Sequence, residues 1–428
     1  MIDCSITGYN KKIMTILYVC FEFPWPLNNG TRIRNYHLIA HLSQNHTITL
    51  VTLHGEKERS PCPLDQMCQK IIELDGKALL GEHSLWCPFG KRFKSLFLSP
   101  WPFVIQPWLS EKLIAAFKKL LTYDFDSVWV NKSYLGEAVR SAGFKNIILD
   151  VDDILSVVMT GELRHTPWYR SKPMHYVDLA KLFIYDFLLP FRFSKLIICK
   201  DEDSRYFLKN ANVYVIPNGM TPQPLLNPDR EAWGQILFVG TLSYLPNRDA
   251  VEFFCMDILP EILRIHSNAT FHVVGRCPEI ANPFDNNSTV LIHRNVSDVR
   301  PHYLSASLVV VPLRIGSGTR LKVLEALGFG KAVVVTSKAV EGLKLKSGVH
   351  LEIADDPKEF ARICSRLLVD PAERHRLGKQ GRDFVTKHYQ WGTVSEAIDK
   401  VLGERKEVIA KAVQKLKSAI ISLLSGSL

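Results

Sequence analysis

The residues best suited to chemistry in this 428-residue chain lie between Val310 and Val335. The run Val310-Val-Pro-Leu-Arg-Ile-Gly-Ser-Gly-Thr-Arg-Leu-Lys-Val-Leu-Glu325-Ala-Leu-Gly-Phe-Gly330-Lys-Ala-Val-Val-Val335 reads as strand, glycine loop, helix, tight turn and strand. Gly316 and Gly318, flanking Ser317, let backbone amides come close to a ligand. The helix should start at about Thr319, so its free N–H groups and its dipole point at the same place, which favours an anion there. Arg320 and Lys322 put two cations into the first turn, where the dipole disfavours them; a bound diphosphate would resolve that conflict. Glu325 lies on the apolar side of the pattern made by Leu321, Leu324 and Leu327, where a carboxylate could accept two hydrogen bonds from a ribose diol. The bland alternative is a glycine-rich connection with a solvated helix start, and Gly-Ser-Gly-Thr alone does not decide between them. The third glycine of a dinucleotide fingerprint is absent, as is a Walker A Gly-Lys-Ser/Thr. Dehydrogenase and P-loop chemistry therefore fail at this loop.

Other candidates lie in the first half. Gly30 follows the first apolar run, with Arg32 and Arg34 on the next turn. Its amide could face a diphosphate across a cleft, or it could be an ordinary turn glycine. Leu149-Asp150-Val-Asp152-Asp153 ends another strand, and carboxylates at a strand's carboxyl end suit acid–base work. Asp152 and Asp153 are the catalytic candidates; either could equally cap the next helix. His37, His46, His272 and His293 have apolar neighbours and no HExxH or paired spacing, so they read as structural. His293 ends a strand of the second half and could border a nucleotide base.

These residues hang on alternating strand and helix patterns. Ile13–Cys20, Thr47–Leu53, Ser127–Asn131, Asn146–Val151, Ser194–Cys199 and Val213–Ile216 read as strands, with helical spacing over 33–42 and near Tyr176–Leu189. Residues 54–120 are less legible, with several Pro and Trp, and are expected to hold one or two helices and an irregular excursion. Pro217-Asn-Gly219 and three further prolines break the chain. A second series follows, with strands at Gln235–Val239, Thr270–Val274, Thr289–His293, Leu308–Pro312 and Ala332–Thr336. Its helices are expected at Asp249–His266, Arg320–Phe329, Pro357–Leu368 and Pro371–His388. The expected fold class is α/β, with two Rossmann-like, doubly wound parallel-sheet domains facing a cleft. The expected division is an N-terminal domain at 1–216, a linker at 217–232, a C-terminal domain at 233–390, and a crossing helix and basic tail at 391–428. Ligands of such sheets bind at the carboxyl ends of the strands, and here in the cleft.

Composition bounds the function. Apolar residues at 46% and charged residues at 22% fit an ordinary globular protein. The net charge of +10 fits a polyanionic ligand or an anionic membrane surface. No nucleic-acid-binding motif accompanies it, so nucleic acid is not an expected partner. Nine cysteines without a CxxC pair point to a reducing, cytoplasmic compartment and no metal site. The run Ile13 to Phe23 is too short, and carries Glu22, for a signal peptide, and no segment reaches the ~20 apolar residues of a membrane span.

The glycine-loop stretch resembles the donor-binding signature of the retaining glycosyltransferases called glycosyl transferases group 1, and more narrowly their exopolysaccharide-type branch. Further matches lie in order along the chain. Phe238-Val-Gly-Thr-Leu-Ser-Tyr-Leu-Pro-Asn-Arg-Asp249 is similar to the family's first donor-domain strand and loop. Val273-Val-Gly-Arg276 is similar to its third-strand turn, and Val215-Ile-Pro-Asn-Gly219 to its interdomain junction. Phe23-Pro-Trp-Pro and Asn29-Gly-Thr-Arg-Ile-Arg34 are similar to its acceptor-side loop. The resemblance implies the GT-B fold and transfer of a sugar, a hexose for preference, from a nucleotide-sugar donor to a saccharide or lipid-linked acceptor. It implies retention at the anomeric carbon, a role in polysaccharide synthesis and no cofactor. The leaving diphosphate would rest on Arg320, Lys322 and the helix amides, without metal. The Asp-X-Asp at 150–152 is similar to the metal motif of the other large glycosyltransferase fold, but the nucleotide signature lies in the other half. Asp152 falls near where many relatives place a His in this strand-end loop, which implies that it polarises the acceptor hydroxyl or orients the sugar.

One departure matters. The family carries two glutamates separated by seven residues, and counting back from Glu325 puts the first at Ser317. Glu325 is thus implied as the ribose ligand, while the sugar contact is left to Ser317 and the amides of Gly318 and Thr319. A non-catalytic nucleotide-sugar-binding or partner subunit of the same fold is the alternative reading. Beyond the expected crossing helix, Val408, Ile409, Ala412, Val413, Leu416, Ile420, Leu423 and Leu424 form a narrow apolar stripe beside Arg405, Lys406, Lys411, Lys415 and Lys417. Such a helix could lie on an anionic membrane, making the protein peripheral to its inner face, or pack on protein.

Overall fold

The computed structural model describes residues 13–54, 61–80, 98–165, 172–208, 212–224, 230–276, 288–316 and 321–403. They form two α/β domains, each built on an all-parallel sheet. The first sheet holds β1 (Thr15–Glu22), β2 (Thr47–His54), β3 (Lys70–Glu73), β4 (Ser127–Asn131), β5 (Ile147–Asp150), β6 (Lys195–Ile198) and β7 (Val213–Val215). Their spatial order is β3-β2-β1-β4-β5-β6-β7. The second holds β8 (Gln235–Val239), β9 (Thr270–Gly275), β10 (Val290–Arg294), β11 (Leu308–Val311), β12 (Val333–Val335) and β13 (Glu352–Ile353), in the order β10-β9-β8-β11-β12-β13. In each sheet the order reverses beside the first strand, between β1 and β4 and between β8 and β11. Such a reversal opens a crevice at the carboxyl ends of those strands. The central strands are covered on both faces, which is why β4 and β11 are buried along their whole length, β11 as an unbroken apolar run and β4 with an apolar centre between Ser127 and Asn131.

Three elements differ from the sequence expectation. β3 lies within the less legible stretch 54–120. It is a four-residue edge strand, half exposed, with too few apolar positions for a period. β13 has two residues and gives no pattern. The expected single helix Asp249–His266 starts earlier, at Leu245, and widens into a π-helical turn over Phe254–Ile258 before the helix Leu259–Ile265. Pro260 lacks the N–H that an uninterrupted ladder would need there.

The described chain ends on the domain where it began. The helix Trp391–Gly403 places Val394, Ile398 and Val401 in the core layer of Ile16, Tyr18, Leu38 and Ile48. Trp391 stacks on His37 with ring centroids 4.7 Å apart, and His41 Nε2 lies 3.0 Å from Asp399 Oδ1. The tail from 404 onward lies outside the described residues. No helix among those described is long and apolar enough to cross a membrane.

The helix Lys172–Arg192 buries Asp186, whose Oδ2 accepts the Ser156 N–H at 2.8 Å at the start of the helix Leu155–His165. Burial holds this carboxyl up at about 6 despite that hydrogen bond. Between about pH 4 and 6 the folded chain keeps a proton that the unfolded chain has released. Stability therefore falls as pH rises through that window and stays lower above it. Asp186→Asn should be more stable than the parent at pH 8 by about 1–3 kcal/mol, and similar to it at pH 4. Denaturant unfolding at the two pH values checks this; equal stabilities at pH 8 contradict it.

Candidate functional site

On the C-terminal side, the chain leaves β11 and reaches Gly316, whose φ of +114° is a backbone conformation that favours glycine. Ser317, Gly318, Thr319 and Arg320 lie outside the described residues. The helix Leu321–Gly328 follows directly. Lys322 folds back over the carboxyl end of β8. Its Nζ lies 2.5 Å from Asn247 Oδ1 and 4.4 Å from the centre of the Phe238 ring. A Cβ at Gly240 would stand 2.8 Å from that ammonium, so the glycine makes its room. Glu325, half-buried, accepts a hydrogen bond at Oε2 from the Tyr303 hydroxyl at 3.1 Å. Burial pushes its carboxyl up, against the opposing pull of the Tyr303 bond and Lys322. Tyr303 thus fixes the carboxylate's orientation, and among the described residues Oε1 has no hydrogen-bond partner.

On the N-terminal side, β1 runs into a loop and then the helix Gly30–Leu42, capped by Asn29, whose Oδ1 accepts from Arg32 N at 2.8 Å. Gly30 meets the other domain: a Cβ built on it would lie 3.2 Å from Cδ1 of Leu321, the first residue of the helix Leu321–Gly328. The first residues of the two helices that follow the switch-point strands therefore meet at contact distance. Arg32 and Arg34, which the sequence offered as Gly30's cationic companions, are spent on protein. Arg32 Nε binds Glu22 Oε2 at 3.1 Å. Arg34 is fully buried and grips Asp150 with two hydrogen bonds of 2.8 and 2.9 Å. A charge facing a carboxylate in the core has no reason to turn to the cleft, so neither arginine supports the anion reading of Gly30.

The catalytic candidates Asp152 and Asp153 sit just beyond β5. Lys132, which follows β4, bridges them, its Nζ 2.7 Å from Asp152 Oδ2 and 3.3 Å from Asp153 Oδ2. Lys132 and Asp152 both hold left-handed backbone, with φ of +78° and +52°. Such strain persists where surrounding bonds over-determine it, and it gathers at functional sites. Burial alone would raise the Asp152 carboxyl, but Lys132 and then Arg34 outweigh it and hold it below the ordinary range. An anion so stabilised orients or polarises; it is a weak proton acceptor. At the start of the helix that follows, the buried Ser156 N–H donates to Asp186.

Several members of the site were not apparent in the sequence. Asn247 and Tyr303 lie 75 and 22 residues from the side chains they hold. Arg314 pairs with Asp249 at 2.7 Å and stacks on Phe253. The signal for Asn247 and Asp249 was their place at the end of the Phe238–Asp249 stretch that resembles the family's strand and loop; nothing there gave the side chains they hold. The pairing of β9 with β10 brings His272 Nδ1 to 3.0 Å from His293 Nε2, with His302 against the latter's ring. Burial, then its two neighbours, hold His272 down at about 4, so it is neutral at pH 7.

Comparison with known proteins bears on this geometry. Residues 234–370 match the family model Glycosyl transferases group 1. That span runs from the start of β8 to the end of the helix Pro357–Val369 and contains Lys322, Glu325, Tyr303 and Asn247. No curated protein sequence matches the chain. The whole chain is similar in fold to solved glycosyltransferases. Sucrose-phosphate synthase from Thermosynechococcus elongatus aligns with a TM-score of 0.62 at 15% identity, over 93% of this chain and 100% of that one. Anabaena HepE in complex with UDP-glucose aligns with a TM-score of 0.64 at 12% identity, over 91% and 100%. WaaG, a glycosyltransferase involved in lipopolysaccharide biosynthesis, aligns at 0.61 and 13% identity, over 91% and 100%. At these identities the likeness is one of fold: two parallel-sheet domains in the GT-B arrangement.

Proposed function

We propose that this protein is a glycosyltransferase that moves a hexose from a nucleoside-diphosphate sugar onto a saccharide or lipid-linked acceptor, with retention at the anomeric carbon, in the synthesis of a cell-surface polysaccharide. The observation that carries the reading is the meeting of two helix starts across the domains, Gly30 against Leu321, where the second helix carries a carboxylate held by Tyr303 and an ammonium held by Asn247. The nucleoside lies against the C-terminal sheet, with Glu325 Oε1 on its ribose. The diphosphate lies at the start of the Leu321 helix, stabilised by Lys322, by Arg320 and by the amides of Gly318 and Thr319. Ser317 and those amides meet the sugar. Asp152, fixed as an anion by Lys132, orients the acceptor with Asp153. The leaving phosphate itself takes the acceptor proton, which requires no enzymic nucleophile. Domain closure over the pair excludes water. The buried cysteines Cys20, Cys199 and Cys364, none in a disulfide, fit a reducing cytoplasm. The basic tail after 404 supports contact with the membrane's inner face.

Calorimetric titration with UDP, GDP and ADP after exhaustive EDTA treatment tests the site. One of the three should bind without metal, and Lys322→Ala should weaken it by about tenfold to a hundredfold, the loss of a charge-assisted bond. If binding needs added magnesium or manganese, the aspartates at 150–153 return as metal ligands and the proposed electrostatics are wrong.

A further inference from the structure

The helix Lys172–Arg192 is apolar on two sides. It buries Leu182, Tyr185 and Leu189 together with Asp178 and Asp186, and holds Phe183, Ile184, Phe187 and Phe191 outward, the last at 60%. These four share one face by their three- and four-residue spacing, along about 12 Å of helix. A continuous exposed apolar stripe of this size marks a contact surface.

Phe183 also lines a cavity of about 350 Å³ between the domains. Its walls are the helix Leu155–His165 on one side and the glycine-loop segment Arg314–Gly316 on the other. Gly161 allows that approach, since a Cβ there would meet Ile315 Cγ2 at 2.5 Å. Four cations line it, Arg164, Arg205, Arg314 and Lys338, and among the described residues no carboxylate does. Their neutralisation is incomplete. Asp249 is taken by Arg314 and Asp203 by Lys200, while Glu341 is shared by Lys200, Arg205 and Lys338. Arg164 has no carboxylate partner among the described residues. An unbalanced cluster rich in arginine suits a phosphate, which accepts several forked N–H donors at once.

We propose that the acceptor is an anionic amphiphile, whose phosphate enters this cavity beside the donor loop while its apolar chain lies along the outward face of the Lys172–Arg192 helix. The inference rests on the glycosyltransferase reading above and names the class of its acceptor. Charge decides against other occupants of the stripe. A second copy docked face to face would bring two cation-rich cavities together. The chain's own tail carries Arg405, Lys406, Lys411, Lys415 and Lys417 and would add to the excess. A lipid phosphate supplies both the missing negative charge and the apolar cover.

The test titrates the full-length protein with dodecyl phosphate, inorganic phosphate and dodecyl maltoside, each below its micelle concentration, with the nucleoside diphosphate titrated in parallel. Dodecyl phosphate should bind at least tenfold more tightly than either of the others. Arg164→Ala combined with Arg205→Ala should remove that advantage. Phe187→Ser combined with Phe191→Ser should weaken dodecyl phosphate at least tenfold and leave inorganic phosphate unmoved. The proposal is overturned if dodecyl maltoside binds as tightly as dodecyl phosphate, or if the arginine pair can be removed without effect. It is equally overturned if the parent sediments as a dimer that the phenylalanine variant dissociates. Nucleoside diphosphate bound without lipid phosphate sinks this inference alone; loss of both sinks the donor reading beneath it.

Discussion

Arg34→Met should destabilise the N-terminal domain by about 3–5 kcal/mol, the cost of leaving a buried carboxylate without its cation. The guanidinium is saturated. Nε and Nη2 hold the two oxygens of Asp150, Nη1 donates to Asn218 Oδ1 at 2.9 Å, and Nη2 also reaches Ile216 O at 3.1 Å. One side chain thus ties the first helix to β5 and to the start of the interdomain linker. Methionine keeps most of the stem's volume, so the loss reports the charge and not a cavity. Asp150 itself is completely buried and cannot recruit water in place of its partner. Replacing both, with Arg34→Met and Asp150→Leu together, should cost less than Arg34→Met alone, because no orphaned charge remains. Hydrogen exchange of the β1 and β5 amides under mild denaturant reads this domain separately from the other. An Arg34→Met protein within about 1 kcal/mol of the parent would show that the pair is not the buried clamp described here.

Glu325→Ala should weaken nucleoside diphosphate binding by about 1.5–3 kcal/mol, roughly tenfold to 150-fold, without unfolding the protein. The carboxylate is held on one side by Tyr303 and leaves Oε1 for a ligand. Pre-orientation of this kind limits the entropy lost on binding. Tyr303→Phe should therefore give a smaller loss in the same direction, since the carboxylate stays but its anchor goes. Removing Glu325 leaves one hydroxyl without its acceptor, so some cost in stability accompanies the loss of affinity. Calorimetry on variants whose circular dichroism matches the parent separates the two. Unchanged affinity in folded Glu325→Ala would take this residue out of the site.

Much of the scaffold was legible because its strands are buried on both faces. Ser127–Asn131 and Gln235–Val239 show as short apolar runs between breakers, and their bounds in the structure are those the pattern implies. Pro371–His388 likewise runs from its N-terminal proline to its basic last turn. Edge strands escaped, since Lys70–Glu73 and Glu352–Ile353 are too short to show a period. The site was legible where one segment carries it: glycine loop, Lys322 and Glu325 lie within ten residues. It was illegible where tertiary contact makes the partner. Nothing local in the sequence says that Lys322 lies over Phe238, or that Arg34 turns inward to Asp150 and not outward to an anion. The helix at 172–192 misleads for a related reason. Its apolar residues are too many for one core-facing stripe: Leu182, Tyr185 and Leu189 are buried with Asp178 and Asp186, while Phe183, Ile184, Phe187 and Phe191 face outward.

The central claim is sugar transfer from a nucleotide donor bound by the C-terminal sheet. Its most direct test is to incubate the purified full-length protein, in EDTA, with a panel of UDP-, GDP- and ADP-sugars and to follow release of free nucleoside diphosphate. The account predicts that one donor is turned over, by slow hydrolysis without acceptor, and that release falls to background in Glu325→Ala. Release of no nucleoside diphosphate from any donor, in a protein that still binds one by calorimetry, would contradict it and leave a non-catalytic binding subunit with this fold.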